Sequence, residues 1–225
     1  MKLKLYLRVS LVFYILNYVV MNFLTTVWPS MTVLADGYGT TFQVSAFAGY
    51  NIFGLFSMLF FLLFLVHSRQ CVRYKVIPAI VIALCGVVLA FYVFESIIYI
   101  GVNSQYGGQH VVDEYIFTSG VCSLLLNDAL RTTFDIVFNI IEPIMYAFLV
   151  VQVLCTKNLV PLTRTVGVIA FLSIVVNNVL LLSCGYSYYE FFQIGNSVFS
   201  IFYVATLILL SMNAYMLEKK YLKAA

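Results

Sequence analysis

Charged residues are scarce in this chain: only 9% of its 225 residues are Asp, Glu, Lys or Arg. A soluble globular domain carries about 25% charged residues, so this chain cannot cover a water-facing surface. With 63% hydrophobic residues and a mean hydropathy of +1.01, its composition predicts an integral membrane protein. The net charge of +3 is small and scattered, which argues against nucleic acid as a partner.

Several residue patterns of membrane enzymes are also missing. No Lys lies inside a long apolar run, which excludes a retinal Schiff base. His67 and His110 fall in predicted loops, which argues against haem ligation, a Ser–His protease and a helix-borne zinc site. The sequence contains no Gly-x-Ser-x-Gly, no phosphate loop and no Cys-x-x-Cys pair. We therefore predict that the protein is not an enzyme and uses no cofactor or metal ion.

Long apolar runs dominate what is present. A membrane-crossing helix needs about 20 apolar residues. The first of these runs, 5–28, follows basic residues and has no small-residue cleavage site, which predicts a retained signal anchor. We predict an all-α fold and a single transmembrane helical-bundle domain over 1–225. Six runs are long enough to span a membrane: 5–28, 42–66, 76–100, 134–155, 162–184 and 191–217.

Basic residues predict the orientation of these six spans. Eleven of the twelve Lys and Arg residues fall on one side, and only Arg131 falls on the other. The positive-inside bias then predicts that both termini are cytoplasmic. We expect the inner (cytoplasmic) membrane of a bacterium as the location. For segment 112–133 we expect an outer helix, which either lies in the membrane interface or extends the fourth span.

The fourth span carries a row of polar residues. Their spacings of three or four residues predict one helical face. Glu142 lies near mid-membrane beside Pro143, and this proline frees the carbonyl of Asn139 and bends the helix. We weigh two interpretations of Glu142: a neutral carboxyl bonded to an Asn of another helix, or a ligand for a cation, a proton or a polar solute. The row consists of Asp128, Arg131, Asp135, Asn139, Glu142 and Tyr146.

Polar residues of the other spans concentrate between mid-membrane and the outer face, whereas the inner half is largely apolar. This asymmetry predicts a polar vestibule that is open to the outside and closed below by an apolar plug. The alternative is that these side chains only bridge neighbouring helices. The residues concerned include Glu95, Asn51, Asn177 and Asn178.

Several short segments of the sequence are similar to those of a known family. The first span ends in Trp28-Pro-Ser-Met-Thr-Val-Leu34, and Gly37-Tyr-Gly-Thr-Thr-Phe-Gln-Val-Ser-Ala-Phe47 leads to the second. A basic second-to-third loop follows, and Arg131 stands twelve residues before Pro143. In these features the chain resembles one six-helix half of a major facilitator superfamily transporter. The resemblance implies six helices and a transport activity that would need a homodimer.

Two functions follow from these patterns. The first is a transport-type protein that binds a cation or small polar solute, with Arg131 holding Asp135 ionised. The alternative is a membrane interaction protein (an immunity, exclusion, sensor or assembly factor) whose segment 101–133 engages another membrane or extracytoplasmic protein. The lipid bilayer is a partner in both. The candidate ligand-binding residues are Glu142, Asp135, Arg131, Glu95, Asn51, Asn177 and Asn178.

Overall fold

A computed structural model describes the backbone of residues 2–27, 31–35, 40–44, 52–106, 111–113, 128–184 and 189–217. Side chains are described for 3–19, 52–97, 129–183 without Arg131 and Asp135, and 194–214. The described helices are α1 (Lys2–Val27), α2 (Ile52–Ser68), α3 (Val76–Tyr106), α4 (Asp128–Ile136), α5 (Glu142–Cys155), α6 (Pro161–Cys184) and α7 (Tyr189–Leu217).

Within the described residues, five helical stretches are long and apolar enough to cross a membrane, which confirms an integral membrane protein. The stretch through α4 and α5 also includes a π-helical turn, Val137–Ile141. The first predicted span corresponds to α1, which is not among the five, so a sixth span stays a prediction. The five stretches are Ile52–Cys71, Val76–Ile97, Thr132–Cys155, Pro161–Ser183 and Ile194–Ala214.

The six long helical stretches close into a ring. Along the chain each packs against the next, in the order α1, α2, α3, α5, α6 and α7, and α1 then packs against α7. Ser10 of α1 and Ser57 of α2 lock one of these contacts, because each hydroxyl donates to the other residue's backbone carbonyl, at 2.8 and 2.9 Å. Small hydroxyl residues let helices approach closely and bond across the contact.

One end of the ring carries the two basic loops that the sequence places on the same side. The N–H of Arg73 donates to the carbonyl of Cys155 at 3.0 Å, and the N–H of Lys157 donates to the carbonyl of Cys71 at 2.9 Å. Val72 and Thr156 form an isolated antiparallel bridge between these bonds. Loops 69–75 and 156–160 therefore meet at one end of the bundle, which we call the loop end.

The opposite end carries a small sheet that the all-α expectation did not include. Its strands are β1 (Met31–Ala35), β2 (Thr40–Val44) and β3 (Val111–Asp113), in the order β2-β1-β3. β1 is antiparallel to β2 and parallel to β3. β1 follows α1 and β3 follows α3, so the chain segments that leave these two helices pair side by side in the sheet.

This sheet corrects two predicted boundaries. The second span was expected to begin at residue 42, but α2 begins at Ile52, because the β-branched and aromatic run Thr40–Val44 favours a strand. The outer helix expected over 112–133 begins with strand residues instead, and the described helix starts at Asp128. Residues 114–127 lie outside the described part of the chain.

Replacing Gly195 with alanine tests the α6–α7 contact. An added Cβ would overlap the amide of Asn177, which donates to Asn196 Oδ1 at 3.0 Å, so that bond must break. Gly86→Ala is the matched control, because an added Cβ there meets no atom within 4 Å. Relative to this control we expect Gly195→Ala to lose about 1 kcal/mol of unfolding free energy, measured by thermal unfolding in detergent. Equal stability of the two variants would contradict the contact.

Candidate functional site

The ring of helices surrounds a central, partly open cavity of about 160 Å³. A cavity of about 10–15 Å³ on this measure holds one water molecule, so this one has room for a small solute. The lining comes from α1, α2, α3, α5 and α7. Its polar members are Tyr14, Asn17, Ser57, Cys85, Tyr92, Glu142, Tyr146 and Tyr203.

Glu142 is the acidic residue of this lining. The Tyr92 hydroxyl donates to both of its carboxyl oxygens, at 3.1 Å to Oε2 and 3.3 Å to Oε1. Tyr146, one turn further along α5, lines the same cavity. At about 1.5 Å per residue, Glu142 lies about 20 Å along α5 from Cys155 at the loop end. The carboxyl group therefore lies well inside the bundle and is held by the Tyr92 hydroxyl.

A π-helical turn positions Glu142. The turn covers Val137–Ile141, and the Glu142 N–H donates to the Val137 carbonyl five residues back. Pro143 has no N–H to continue the regular pattern, so the expected bend takes the form of this wider turn. A π turn interrupts the regular α-helical spacing, so the single face expected from Asp128 to Tyr146 does not continue unchanged through it.

Aromatic rings form much of the cavity wall. Tyr14 and Tyr203 meet edge to face with centroids 4.9 Å apart, and Tyr203 packs on Phe199 at 5.3 Å. Tyr146 meets Phe199 at 5.4 Å. The Tyr14 hydroxyl is anchored by donating to Ser200 Oγ at 3.0 Å. Packed rings give a rigid wall, and their negative faces attract cations.

Asn17 adds a second acceptor to the lining. Its Oδ1 is buried and has no hydrogen-bond partner among the described residues. Buried polar atoms are nearly always bonded, so a water or a solute donor is expected at this oxygen. The cavity therefore offers two acceptors, the Glu142 carboxyl and the Asn17 amide oxygen, to a donor-bearing guest.

One of the predicted candidate ligands lines the cavity and others do not. Glu142 lines the cavity. Glu95 does not line it, but its carboxyl group interacts electrostatically with that of Glu142. Asn177 and Asn178 are not among the described lining residues: the first bonds Asn196 across α6 and α7, and the second donates to the Ile174 carbonyl of its own helix at 2.9 Å.

Three other predicted ligands cannot be placed in the cavity. Arg131 and Asp135 lie on α4, but their side chains are outside the described residues, as is Asn51 altogether. The expected opening of the vestibule toward the outer face also falls on segments outside the described residues. The role of these three residues as ligands and the outward opening of the vestibule therefore stay predictions.

The sequence analysis missed Tyr14, Tyr92 and Tyr203 as lining residues. A signal for them was present, because each tyrosine stands well inside an apolar run, where its hydroxyl needs a partner. Of the lining tyrosines, only Tyr146 was predicted, as a member of the polar row on the fourth span.

Comparisons with known proteins add no identification: no family model matches the chain, and neither a curated protein nor a solved structure is similar to it. The function must therefore be argued from the cavity itself.

The hydrogen bond between Tyr92 and Glu142 can be tested by a double-mutant cycle. Tyr92→Phe removes the donor from a buried carboxyl, so we expect a loss of about 1–3 kcal/mol of unfolding free energy. In a Glu142→Leu background the same change should cost clearly less, because no partner remains to be lost. Thermal unfolding in detergent measures both.

Tyr74→Phe is the control for this cycle, because Tyr74 is 53% exposed in a loop and should leave stability unchanged. A Tyr92→Phe effect of the same size in both backgrounds would show that the hydroxyl does not depend on Glu142.

Proposed function

We propose that the protein is a transport-type membrane protein whose central cavity binds a small cation, with Glu142 as the counter-charge. The observation that carries this proposal is the enclosed Glu142 carboxyl, which lines a cavity large enough for a solute. An ionisable group inside a membrane costs several kcal/mol, roughly 2.5 or more. Such a group persists where it is paired or wetted, and in transport proteins it marks a solute path.

The charge balance of the lining supports a cation. Among the described residues of the cavity wall, none is Lys, Arg or His. Glu95 adds a second carboxyl nearby. A bound cation would compensate this negative charge, and a proton would serve the same need when the cavity holds no cation.

The chemistry of the wall narrows the class of cation. Tyrosine faces near a carboxylate recognise ammonium groups by cation–π attraction, which is worth about 2 kcal/mol when desolvated. The Asn17 oxygen can accept an N–H bond from the same guest. A protonated amine with a small apolar body fits these groups better than a doubly charged metal ion, which prefers several carboxylate ligands.

The charge preference of the cavity can be measured at Cys85, which lines it with Glu142. In a variant that keeps Cys85 and carries alanine at the other cysteines, each reagent's rate is divided by its rate with a small thiol in solution. On this scale a trimethylammonium-ethyl methanethiosulfonate should react about tenfold faster than the sulfonatoethyl reagent. Glu142→Gln should bring the two rates together. Glu142→Asp, which keeps the carboxylate charge at this position, is the control and should keep the preference.

Equal rates of the two reagents before mutation would contradict the proposal, as would the absence of any reaction in folded protein. A confirmed preference then justifies uptake assays with primary and quaternary amines in proteoliposomes, where Glu142→Gln should abolish uptake.

The remaining expectations stay predictions. We infer that α1 is a sixth span, because it packs between α2 and α7 and closes the ring. Cytoplasmic termini, a bacterial inner membrane, a homodimer and the likeness to half of a major facilitator transporter belong to the same proposal.

The alternative, a membrane interaction protein, depends on segment 101–133, most of which lies outside the described residues. Purification from native membranes with a stoichiometric partner chain would favour that alternative.

A further inference from the structure

A second, smaller cavity adjoins the central one toward the loop end, and we call it the loop-end cavity. Its volume is about 30 Å³, above the roughly 10–15 Å³ that a water molecule needs. It is lined by Cys71 and Val72 on one loop and by Leu159 on the other. Phe61 and Leu149 line both cavities, so the cavities meet at these two side chains.

Gln152 makes the loop-end cavity polar. The residue is only 5% exposed, and its Oε1 is buried with no hydrogen-bond partner among the described residues. Leaving a buried oxygen unbonded costs about 1–3 kcal/mol, so a guest molecule is expected there. Ser68 and Thr156 also line this cavity. Their hydroxyls donate to carbonyls of their own segments, at 3.3 and 2.7 Å, and keep lone pairs for a water.

The two cavities follow one face of α5. Glu142, Tyr146, Leu149 and Gln152 are spaced by four, three and three residues, which keeps them on the same side of a helix. Leu149 and Gln152 are about 4.5 Å apart along the axis. From Glu142 toward the loop end, this face of α5 therefore changes from polar to apolar at Leu149 and back to polar at Gln152.

We propose that the two cavities are successive sections of one path through the ring, with Gln152 as a polar station and Phe61 and Leu149 as the gate between them. Both gate side chains are almost fully buried, 6% and 2% exposed. A narrow apolar constriction closes a path by excluding water. The passing solute is the small cation of the central cavity, so in this respect the inference rests on the proposed function.

This path refines the expected apolar plug. The sequence predicts an inner half that is closed by apolar packing, whereas Gln152 and its cavity lie within that half. The closure between the two cavities is then a layer at Phe61 and Leu149. A shift of these two side chains would connect the Glu142 carboxyl with the loop end.

Native cysteines report on both sections, because Cys85 lines the central cavity and Cys71 lines the loop-end cavity. Two single-cysteine variants, each keeping one of them, are treated with Ag⁺ from the loop side of sealed vesicles. Ag⁺ replaces the thiol proton, which leaves to water. The loop side is identified by labelling the exposed Lys157 with an impermeant amine reagent.

We expect Cys71 to react from this side about tenfold faster than Cys85. Phe61→Ala should raise the Cys85 rate about tenfold, because it opens the constriction. Phe64→Ala is the matched control: Phe64 is also 6% exposed, but it lines only the loop-end cavity and should leave the Cys85 rate unchanged. Adding Gln152→Leu to Phe61→Ala should lower the rate again, because the polar station is lost.

Leu149→Ala serves as the second gate variant should Phe61→Ala fail to fold. An unchanged Cys85 rate in the folded gate variants would overturn the gate. An equal rise in Phe64→Ala would overturn it too, because the change would then be general loosening.

The outcomes separate this inference from the proposed function. If the gate variants leave the Cys85 rate unchanged but Cys85 still prefers the cationic reagent, the central cavity binds a cation and the proposed path is wrong. A working gate without that preference overturns the cation proposal alone.

Discussion

A carboxyl group enclosed by membrane-crossing helices must find its hydrogen bonds within the protein, because the bilayer core supplies none. Glu142 meets this requirement through Tyr92. Since Tyr92 belongs to α3 and Glu142 to α5, their bond constrains the depth and rotation of one helix against the other. The π turn before Glu142 serves the same requirement, because it sets where the carboxyl emerges from its helix.

Polar side chains in this bundle have two distinct uses. Some lock neighbouring helices: the serine pair between α1 and α2, the asparagine pair between α6 and α7, and Asn213, which donates to Thr163 Oγ1. Each such bond contributes about 0.6–2 kcal/mol. Others face enclosed space and leave atoms unbonded, as Asn17 and Gln152 do. The two interpretations of the polar residues, binding site and helix contact, therefore apply to different residues.

The ring explains why the site lies at its centre. Each long helix packs on two neighbours, and closure by α1 against α7 encloses the middle of the bundle. The aromatic side chains that meet there are large and rigid, so they do not fill the middle of the bundle completely and a cavity is left. α6 is absent from the described lining of the central cavity, yet it supplies Phe171 to the loop-end cavity.

Sequence alone determined the membrane location, the position of five spans within a few residues at most ends, and the presence of Glu142 inside one of them, because hydropathy and the cost of a buried charge are local properties. It also placed the two basic loops on one side, and their backbone bonds agree. Only the tertiary structure decided which polar residues face the cavity. Asn177 and Tyr92 look alike as polar residues in apolar runs, but helix rotation turns the first toward Asn196 and the second toward Glu142. Rotation depends on packing between distant segments and on the π turn, and neither can be derived from residue spacing along a single helix.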